Sequence, residues 1–170
     1  MFFLLPRPPE GELISHQFWS GPGSSSLHAA ATNLTSVAQQ VQAVLTGHQT
    51  NSGVMRTAWQ GQTGELANAA DTPQQVWLAT SAEQLNGASA AAQGLATSFD
   101  TAQMATPHPA AFAANDAQYP IVVGLMLASL GIIWQPYVQN GMEYLAMTAM
   151  AEAADKAYKA ASGTILGTMP

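Results

Sequence analysis

The chain contains no cysteine, and only 4 of its 170 residues are lysine or arginine. Without cysteine it can form no disulfide bond, no thiolate metal site and no cysteine nucleophile. The net charge is −6, and no basic stripe is present that could neutralise the phosphates of a nucleic acid. We therefore expect no nucleic-acid partner.

Long hydrophobic runs are missing as well. The longest one, residues 121–134, is interrupted by glycines, Ala128 and Ser129, and it is shorter than the roughly 20 residues of a bilayer-spanning helix. The apolar start at residues 1–5 lacks a basic segment and ends at Pro6, far short of the apolar core of a secretory signal. The sequence thus predicts neither a membrane span nor Sec-type export.

Charged residues make up only 8% of the chain, against about 25% of an average domain. With 170 residues, the chain forms one domain or slightly more and is long enough to bury a core. A surface so poor in charge either consists of small uncharged polar groups or is covered by another molecule. We expect both to apply. Ala, Gln, Ser and Thr fill the predicted helix faces, which agrees with the first explanation.

Two long helices are predicted, over residues 24–52 and 55–105. Apolar residues recur at helical spacing in both, for example Leu27, Leu34 and Val41, which are seven positions apart. Glycines at 47 and 53 should break the first helix, and Pro73 should kink the second. The two helices should pair as an antiparallel hairpin whose small side chains leave it in need of a further layer.

The remaining segments are predicted to be helical or irregular. Residues 1–23 form a leader with a short helix over 12–19, and the proline-rich stretch around residue 107 ends the hairpin. Residues 110–161 hold two more helices, joined by a loop over 131–136, and residues 162–170 form a disordered tail. No strand alternation is present, so the predicted fold class is all-α.

No catalytic, metal or cofactor site is indicated. The four histidines lie in different predicted elements, without the spacing of metal ligands. Glu152 and Asp155 lie one turn from Lys156 and Lys159, which is typical of a solvated helix face. There is also no phosphate-binding glycine loop and no nucleophile elbow. We therefore expect a protein that is not an enzyme.

Short strings along the chain carry a family resemblance. They are Pro8-Pro9-Glu10, Gly21-Pro22-Gly23 and Ala58-Trp59-Gln60-Gly61, followed by Pro73 and Trp77-Leu78. In this order and spacing they resemble the N-terminal domain of the mycobacterial PPE proteins, which is named for the Pro-Pro-Glu motif. The resemblance continues through Pro107-His108-Pro109 and Ala113-Ala114-Asn115 to about residue 160.

The resemblance implies an interaction module. PPE proteins are helical substrates of type VII (ESX) secretion systems and act as heterodimers with PE proteins. By this likeness, residues 1–161 form a PPE domain: an elongated antiparallel hairpin, completed to a four-helix bundle by a PE partner, with further helices that form a hydrophobic tip. The expected PE interface consists of Leu27, Leu34, Val41, Leu78, Leu85 and Phe99.

Trp59 and Gly61 allow two interpretations. Gly61 could simply relax the backbone near a helix start while Trp59 covers the end of the apolar seam. The resemblance instead implies that Trp59-Gln60-Gly61 is half of a composite export signal, whose other half, Tyr-x-x-x-Asp/Glu, lies in the partner's tail. No tyrosine of this chain has an acidic residue four positions later, so a partner must supply that half.

The run over residues 121–134 also has two interpretations. It could be a buried core helix, but it ends in a predicted loop, and apolar loops on a surface usually mark binding sites. The resemblance implies a tip held by an EspG-type cytosolic chaperone. Many family members have Asn-Phe-Phe-Gly there, whereas this chain has Ala128-Ser129-Leu130-Gly131, so the choice of chaperone is not indicated. The apolar tip consists of Leu127, Leu130, Gly131, Ile132, Ile133 and Trp134.

Two functions remain open at this point. In the first, the chain pairs with a PE protein, stays cytosolic until type VII export, and is then secreted or bound at the cell surface. In the second, the apolar tip contacts a membrane after export, and the protein is membrane-active or assists transport at the outer envelope. Occupation of the tip by protein or by lipid would distinguish the two.

Overall fold

The structure is a computed structural model that describes residues 5–169. It contains five α-helices: α1 (Glu10–Ser20), α2 (Ser25–Ala58), α3 (Gln62–Ala105), α4 (Pro109–Ala128) and α5 (Gln135–Gly167). No strand occurs among residues 5–169, and the predicted all-α fold class is confirmed. Residues 1–4 of the predicted leader and residue 170 of the predicted tail lie outside the described residues.

The helices belong to two compact units. The leader unit comprises the residues up to Ser24 together with Ala96–Thr164, and the hairpin unit comprises Ser25–Leu95 and the residues from Ile165 onward. The hairpin unit therefore contains α2 and most of α3. The leader unit contains α1, α4, most of α5 and the last turns of α3.

In the hairpin unit, α2 and α3 run antiparallel, as predicted. The buried side of α2 consists of residues seven positions apart, namely Ala31, Ala38, Leu45 and Ser52. The predicted seam of Leu27, Leu34 and Val41 lies beside this row and is only half-buried. The contact row uses the smaller residues because small side chains let the two backbones come close, as the 2.8 Å hydrogen bond from Ser89 Oγ to the Ala31 carbonyl illustrates.

The turn between α2 and α3 lies later than predicted. Helix α2 continues through Gly47 and Gly53 to Ala58, and the chain turns at residues 59–61. Each glycine costs a helix only about 1 kcal/mol relative to alanine. The intervening His48 and Ser52 lie on the side of α2 that hydrogen-bonds to Asp71 of α3. Tertiary contacts therefore keep helical a segment that its local sequence would break.

The leader unit is built around aromatic side chains. Phe18 of α1, Phe99 of α3 and Tyr158 of α5 form a three-ring cluster with centroids 5.5 to 5.9 Å apart. Between α4 and α5, Phe112 and Tyr144 are both buried, and their rings meet edge to face at 5.6 Å. Edge-to-face pairs add about 0.5–1.5 kcal/mol to the effect of burial. This unit therefore has a core of its own.

The C-terminal helix is longer than predicted. Helix α5 ends at Gly167, so residues 162–167, which the sequence predicted to be disordered, are helical. Within the hairpin unit, Ile165 lies so close to α3 that a Cβ added at Gly94 would be 3.1 Å from Ile165 Cδ1. The Ile165 side chain thus packs against α3 at Gly94, where the absence of a Cβ gives it more room.

The other helix boundaries agree within a few residues. Pro9 is the N-cap of α1, which makes this helix longer than the predicted 12–19. Pro73 lies inside α3 and Pro120 inside α4, and both helices continue past them. Among the described residues, none of the helices combines the length and the apolar character needed to cross a bilayer.

Candidate interaction surfaces

The Pro-Pro-Glu motif attaches the leader to α5 and begins α1. The Tyr144 hydroxyl has a single hydrogen to donate, and two acceptors share it: the Glu12 carboxylate at 2.8 Å and the Pro8 carbonyl at 3.0 Å. Burial, and secondarily the hydrogen bond to Glu12, raise the pKa of the Tyr144 phenol well above its usual range. Glu10 is exposed in the first turn of α1, where a negative charge favours the helix dipole.

The Trp59 turn depends on two glycines. Gly61 has a φ of +93°, a left-handed conformation that favours glycine. A Cβ at Gly64 would lie 2.2 Å from the Trp59 carbonyl oxygen, so only glycine fits there. The sequence interpretation missed Gly64, although a second glycine three positions after Gly61 was a visible signal. The turn leaves the Trp59 side chain exposed.

A polar cluster lies beside this turn. The Asp71 carboxylate of α3 accepts hydrogen bonds from His48 and Ser52 of α2, and from Gln75 at 2.6 Å. The hydrogen bond from Ser52, followed by those from Gln75 and His48, lowers the pKa of Asp71. A cavity of about 210 Å³ adjoins the cluster, and its lining includes Met55 and Trp59.

The hydrogen bonds of this cluster connect its residues in a different order from those of a serine hydrolase triad. In a catalytic triad the serine donates to the imidazole, which in turn donates to the aspartate. Here the Ser52 hydroxyl donates to Asp71 directly, so the carboxylate is the common acceptor and Ser52 is not activated. The cluster instead ties α2 to α3 near the turn. In the part of the chain that the structure describes, no group of three or more possible metal ligands is found.

The predicted PE-interface residues divide into two groups. Leu27, Leu34, Val41 and Leu85 are half-buried on the hairpin unit. Leu78 is buried against the chain itself, and Phe99 packs in the aromatic cluster of the leader unit. The latter two side chains therefore pack within the chain's own core, and the PE-interface role of all six residues stays a prediction.

Further apolar residues, which are exposed, lie beside the half-buried Leu27, Leu34, Val41 and Leu85. Val37 and Val44 lie seven positions apart on α2, and Leu66 and Trp77 lie eleven positions, or three turns, apart on α3; all four are at least 44% exposed. Val37, Val44 and Trp77 each come one position before a buried residue of their helix, namely Ala38, Leu45 and Leu78. Leu66 is in line with Trp77 along α3, and the helices are antiparallel, so both rows face the same side of the hairpin. The sequence interpretation missed Val37 and Val44 as interface candidates.

The apolar tip is an ordered, exposed turn between α4 and α5. Gly131 has a φ of +85° and donates to the Met126 carbonyl at 2.8 Å, while the Ile133 amide donates to Ser129 Oγ at 3.0 Å. Leu130 also has a left-handed φ, +51°, which is uncommon for a residue with a side chain. The exposed fractions of its large side chains range from 44% at Ile133 to 87% at Leu130; the others are Leu127, Ile132 and Trp134.

The fold and these surfaces define a class, namely an all-α domain with an open apolar helix face and an exposed apolar loop. Surfaces of this kind usually contact other proteins or membranes. The PPE family profile matches residues 2–170. The chain therefore belongs to the PPE family, and the resemblance noted in the sequence is confirmed.

Individual relatives agree with this assignment. The chain is 33% identical over 166 residues to PPE family protein PPE4 of Mycobacterium tuberculosis (strain CDC 1551 / Oshkosh), covering 96% of this chain and 31% of that protein. It is 32% identical over 163 residues to PPE family protein PPE18 of strain ATCC 25618 / H37Rv, covering 95% of this chain and 41% of that protein. The chain thus spans less than half the length of these relatives.

Proposed function

We propose that this chain is a PE-binding, non-catalytic PPE subunit that travels through a type VII secretion system as a folded pair. PPE family membership supports a PE-family protein as the kind of partner. The observation that carries the proposal is the open apolar face of the hairpin unit, with Val37 and Val44 on one side and Leu66 and Trp77 on the other. A long helical hairpin laid on this face would complete a four-helix bundle.

Covering the apolar face with a partner would be favourable. Fully covering one large apolar side chain gains about 1.5–3 kcal/mol. Val37, Val44, Leu66 and Trp77 are already partly buried, so each would gain less than this. Together, however, the four side chains form an exposed apolar patch on one side of the hairpin unit, and such patches usually mark contact surfaces.

A matched pair of charge insertions tests the partner face. Val37 lies on the open apolar side of α2, whereas Gln39, also exposed, lies on the opposite side of the same helix. Co-purification with a PE protein from the same genome should be lost in Val37→Glu and kept in Gln39→Glu, because only the first buries a charge without a counter-ion. Equal retention of the PE protein by both variants would contradict the assigned face.

We further propose that Trp59 and Gly61 form the chain's half of the export signal. The support is the exposure of the Trp59 indole at a turn that the glycine backbone determines. Replacing Trp59 with Ala should leave PE pairing intact and stop export from a competent mycobacterial host. Secretion of the variant pair at the wild-type level would contradict this role. The protein would thus be cytosolic until export, and then secreted or held at the cell surface.

The apolar tip is our proposed site for an EspG-type cytosolic chaperone. Its support is the ordered exposure of Leu130, Ile132 and Trp134 in one turn. Three large side chains of this kind are enough to anchor a small interface. The departure from Asn-Phe-Phe-Gly at this turn predicts that binding differs among the EspG-type proteins of one organism, which pull-downs against each of them would measure.

The same tip supports a second candidate function after export. Trp134 next to two exposed isoleucines is a composition that also partitions into the interface of a lipid bilayer. In this case the purified PE-bound chain should bind liposomes, and Trp134→Ser should abolish that binding. A pair that does not bind liposomes, with or without anionic lipid, would remove this alternative.

A further inference from the structure

Two buried asparagines join α4 to α5 at the base of the apolar tip. Asn115 lies on α4 and Asn140 on α5, and each side-chain amide donates to the backbone carbonyl of the other residue at 3.0 Å. Both residues are at most 5% exposed. The reciprocal pair uses one N–H of each side-chain amide and leaves the two amide oxygens in a buried site, where an oxygen without a donor is costly.

Arg7 of the leader supplies donors to both oxygens. Its Nη1 donates to Asn140 Oδ1 at 2.9 Å and its Nη2 to Asn115 Oδ1 at 2.7 Å. The guanidinium also pairs with Asp116 and lies between the rings of Tyr119 and Tyr144, 4.4 and 4.2 Å from their centroids. Each of these partners belongs to α4 or α5, so Arg7 holds the two helices together from outside both.

The leader continues from this site toward the apolar tip. The Leu5 amide donates to the Tyr137 hydroxyl at 2.5 Å, and a Cβ at Gly141 would lie 2.4 Å from Leu5 Cδ1. Between residues 120 and 136, Met126 is the one side chain that is buried. This end of the α4–α5 pair thus has almost no core of its own, and its direction depends on what holds the helices at the base.

We propose that Arg7 is a positioning residue for the apolar tip. By fixing the separation of α4 and α5 it sets the direction in which the apolar tip presents its large side chains to a partner. A lysine keeps the charge but lacks the planar fork that serves two oxygens while stacking between two rings. The consequence for partner binding rests on the proposed function, whereas the consequence for the order of the tip does not.

The test uses the PE-bound chain with Arg7→Lys and Asp116→Asn as a matched pair. Asp116 is 46% exposed, against 15% for Arg7, and its replacement keeps both bonds to the asparagines. Hydrogen–deuterium exchange should become about tenfold faster over residues 121–136 in Arg7→Lys, with little change in α2. The affinity for an EspG-type chaperone that binds the wild-type pair should also fall about tenfold. Asp116→Asn should stay within about twofold of wild type in both measurements.

The exchange and affinity measurements test the positioning role of Arg7, its effect on chaperone binding and the proposed function separately. Wild-type exchange over residues 121–136 in Arg7→Lys, or an equal acceleration throughout α1 and α3, would overturn the positioning role. Faster exchange with unchanged chaperone affinity would overturn its effect on binding. A wild-type pair that binds no EspG-type protein would contradict the proposed function, while the exchange measurement would still decide the role of Arg7. If Arg7→Lys does not fold, Tyr119→Leu, which removes one of the two rings that contact the guanidinium, takes its place. This variant should show the same faster exchange over residues 121–136, to a smaller extent. Wild-type exchange in Tyr119→Leu would overturn the proposal.

Discussion

The two units of this protein stabilise themselves by different means. Among the buried apolar residues that the structure describes in the hairpin unit, only Leu45 and Leu78 are larger than alanine, whereas the leader unit buries Phe18, Phe112 and Tyr144. A buried alanine removes little apolar area from water, so the hairpin unit gains much less from its own packing. It is this unit that leaves an apolar face open. The leader unit thus has a core of its own, and we predict that the hairpin unit depends on a partner.

The largest effect is expected from a substitution that disrupts the core of the leader unit. Phe112→Ala should lower the free energy of unfolding by about 3–5 kcal/mol, because it removes a large ring and leaves a cavity between α4 and α5. Chemical denaturation of the PE-bound chain measures this loss. Ala38→Gly, at a buried position of the hairpin unit, should cost only about 1 kcal/mol. Similar losses for both variants would contradict the contrast between the units.

A smaller effect is expected at the apolar tip, which belongs to the leader unit but contributes little to its core. Replacing Ile132 with Asp and Trp134 with Ser should weaken chaperone binding at least about 100-fold, since each large side chain is worth about 1.5–3 kcal/mol. Pull-down and calorimetry measure this change. Met142→Asp alters an exposed side chain of α5 outside the tip and serves as control. Loss of PE pairing in the double variant would show that these residues belong to a core.

Leu130 allows stability and binding to be separated. Its left-handed backbone costs about 1 kcal/mol relative to glycine. Leu130→Gly should therefore raise the free energy of unfolding by up to about this amount, and should weaken chaperone binding because the most exposed side chain of the tip is gone. Thermal unfolding and calorimetry on the same sample give both values. A destabilised variant would mean that Leu130 makes contacts which compensate for its conformation.

The smallest expected effect concerns pH and the hairpin unit. Hydrogen bonds lower the pKa of Asp71 below its ordinary value of 3.8, so between the two values the unfolded chain binds more protons than the folded chain. The stabilising contribution is therefore complete above the ordinary value and is lost as the pH falls through the folded one. Unfolding of the wild type should show this extra loss below about pH 4, and Asp71→Asn should not. Parallel pH profiles would contradict the role of the cluster.

Much of the fold could be predicted from the sequence, because helix periodicity and proline or glycine positions are local signals. The all-α class, the antiparallel hairpin and the approximate ends of α4 were predicted correctly. Two predictions were wrong, namely that α2 ends at residue 52 and that the chain is disordered from residue 162 onward. In both cases contacts with α3, from His48 and Ser52 to Asp71 and from Ile165 near Gly94, outweigh the local preference.

The sites were less predictable than the helices. The sequence gives no reason to connect Arg7 with Asn115 and Asn140, because these residues are more than 100 positions apart and carry no periodic signal. The α2 stripe was found, but the choice of its contact row was not, since small and large residues alternate within it. The exposure of Leu130, Ile132 and Trp134 agrees with the expected loop, and its chaperone role stays a prediction.

The proposed dependence of the hairpin unit on a partner can be tested directly by hydrogen–deuterium exchange of the chain alone and of the chain with a PE protein. Without the partner, amides over residues 25–95 should exchange much faster than those around Phe18, Phe112 and Tyr144, and pairing should slow exchange mainly in the hairpin unit. Our account predicts this asymmetry. A hairpin unit that is equally protected in the isolated, monomeric chain would contradict it.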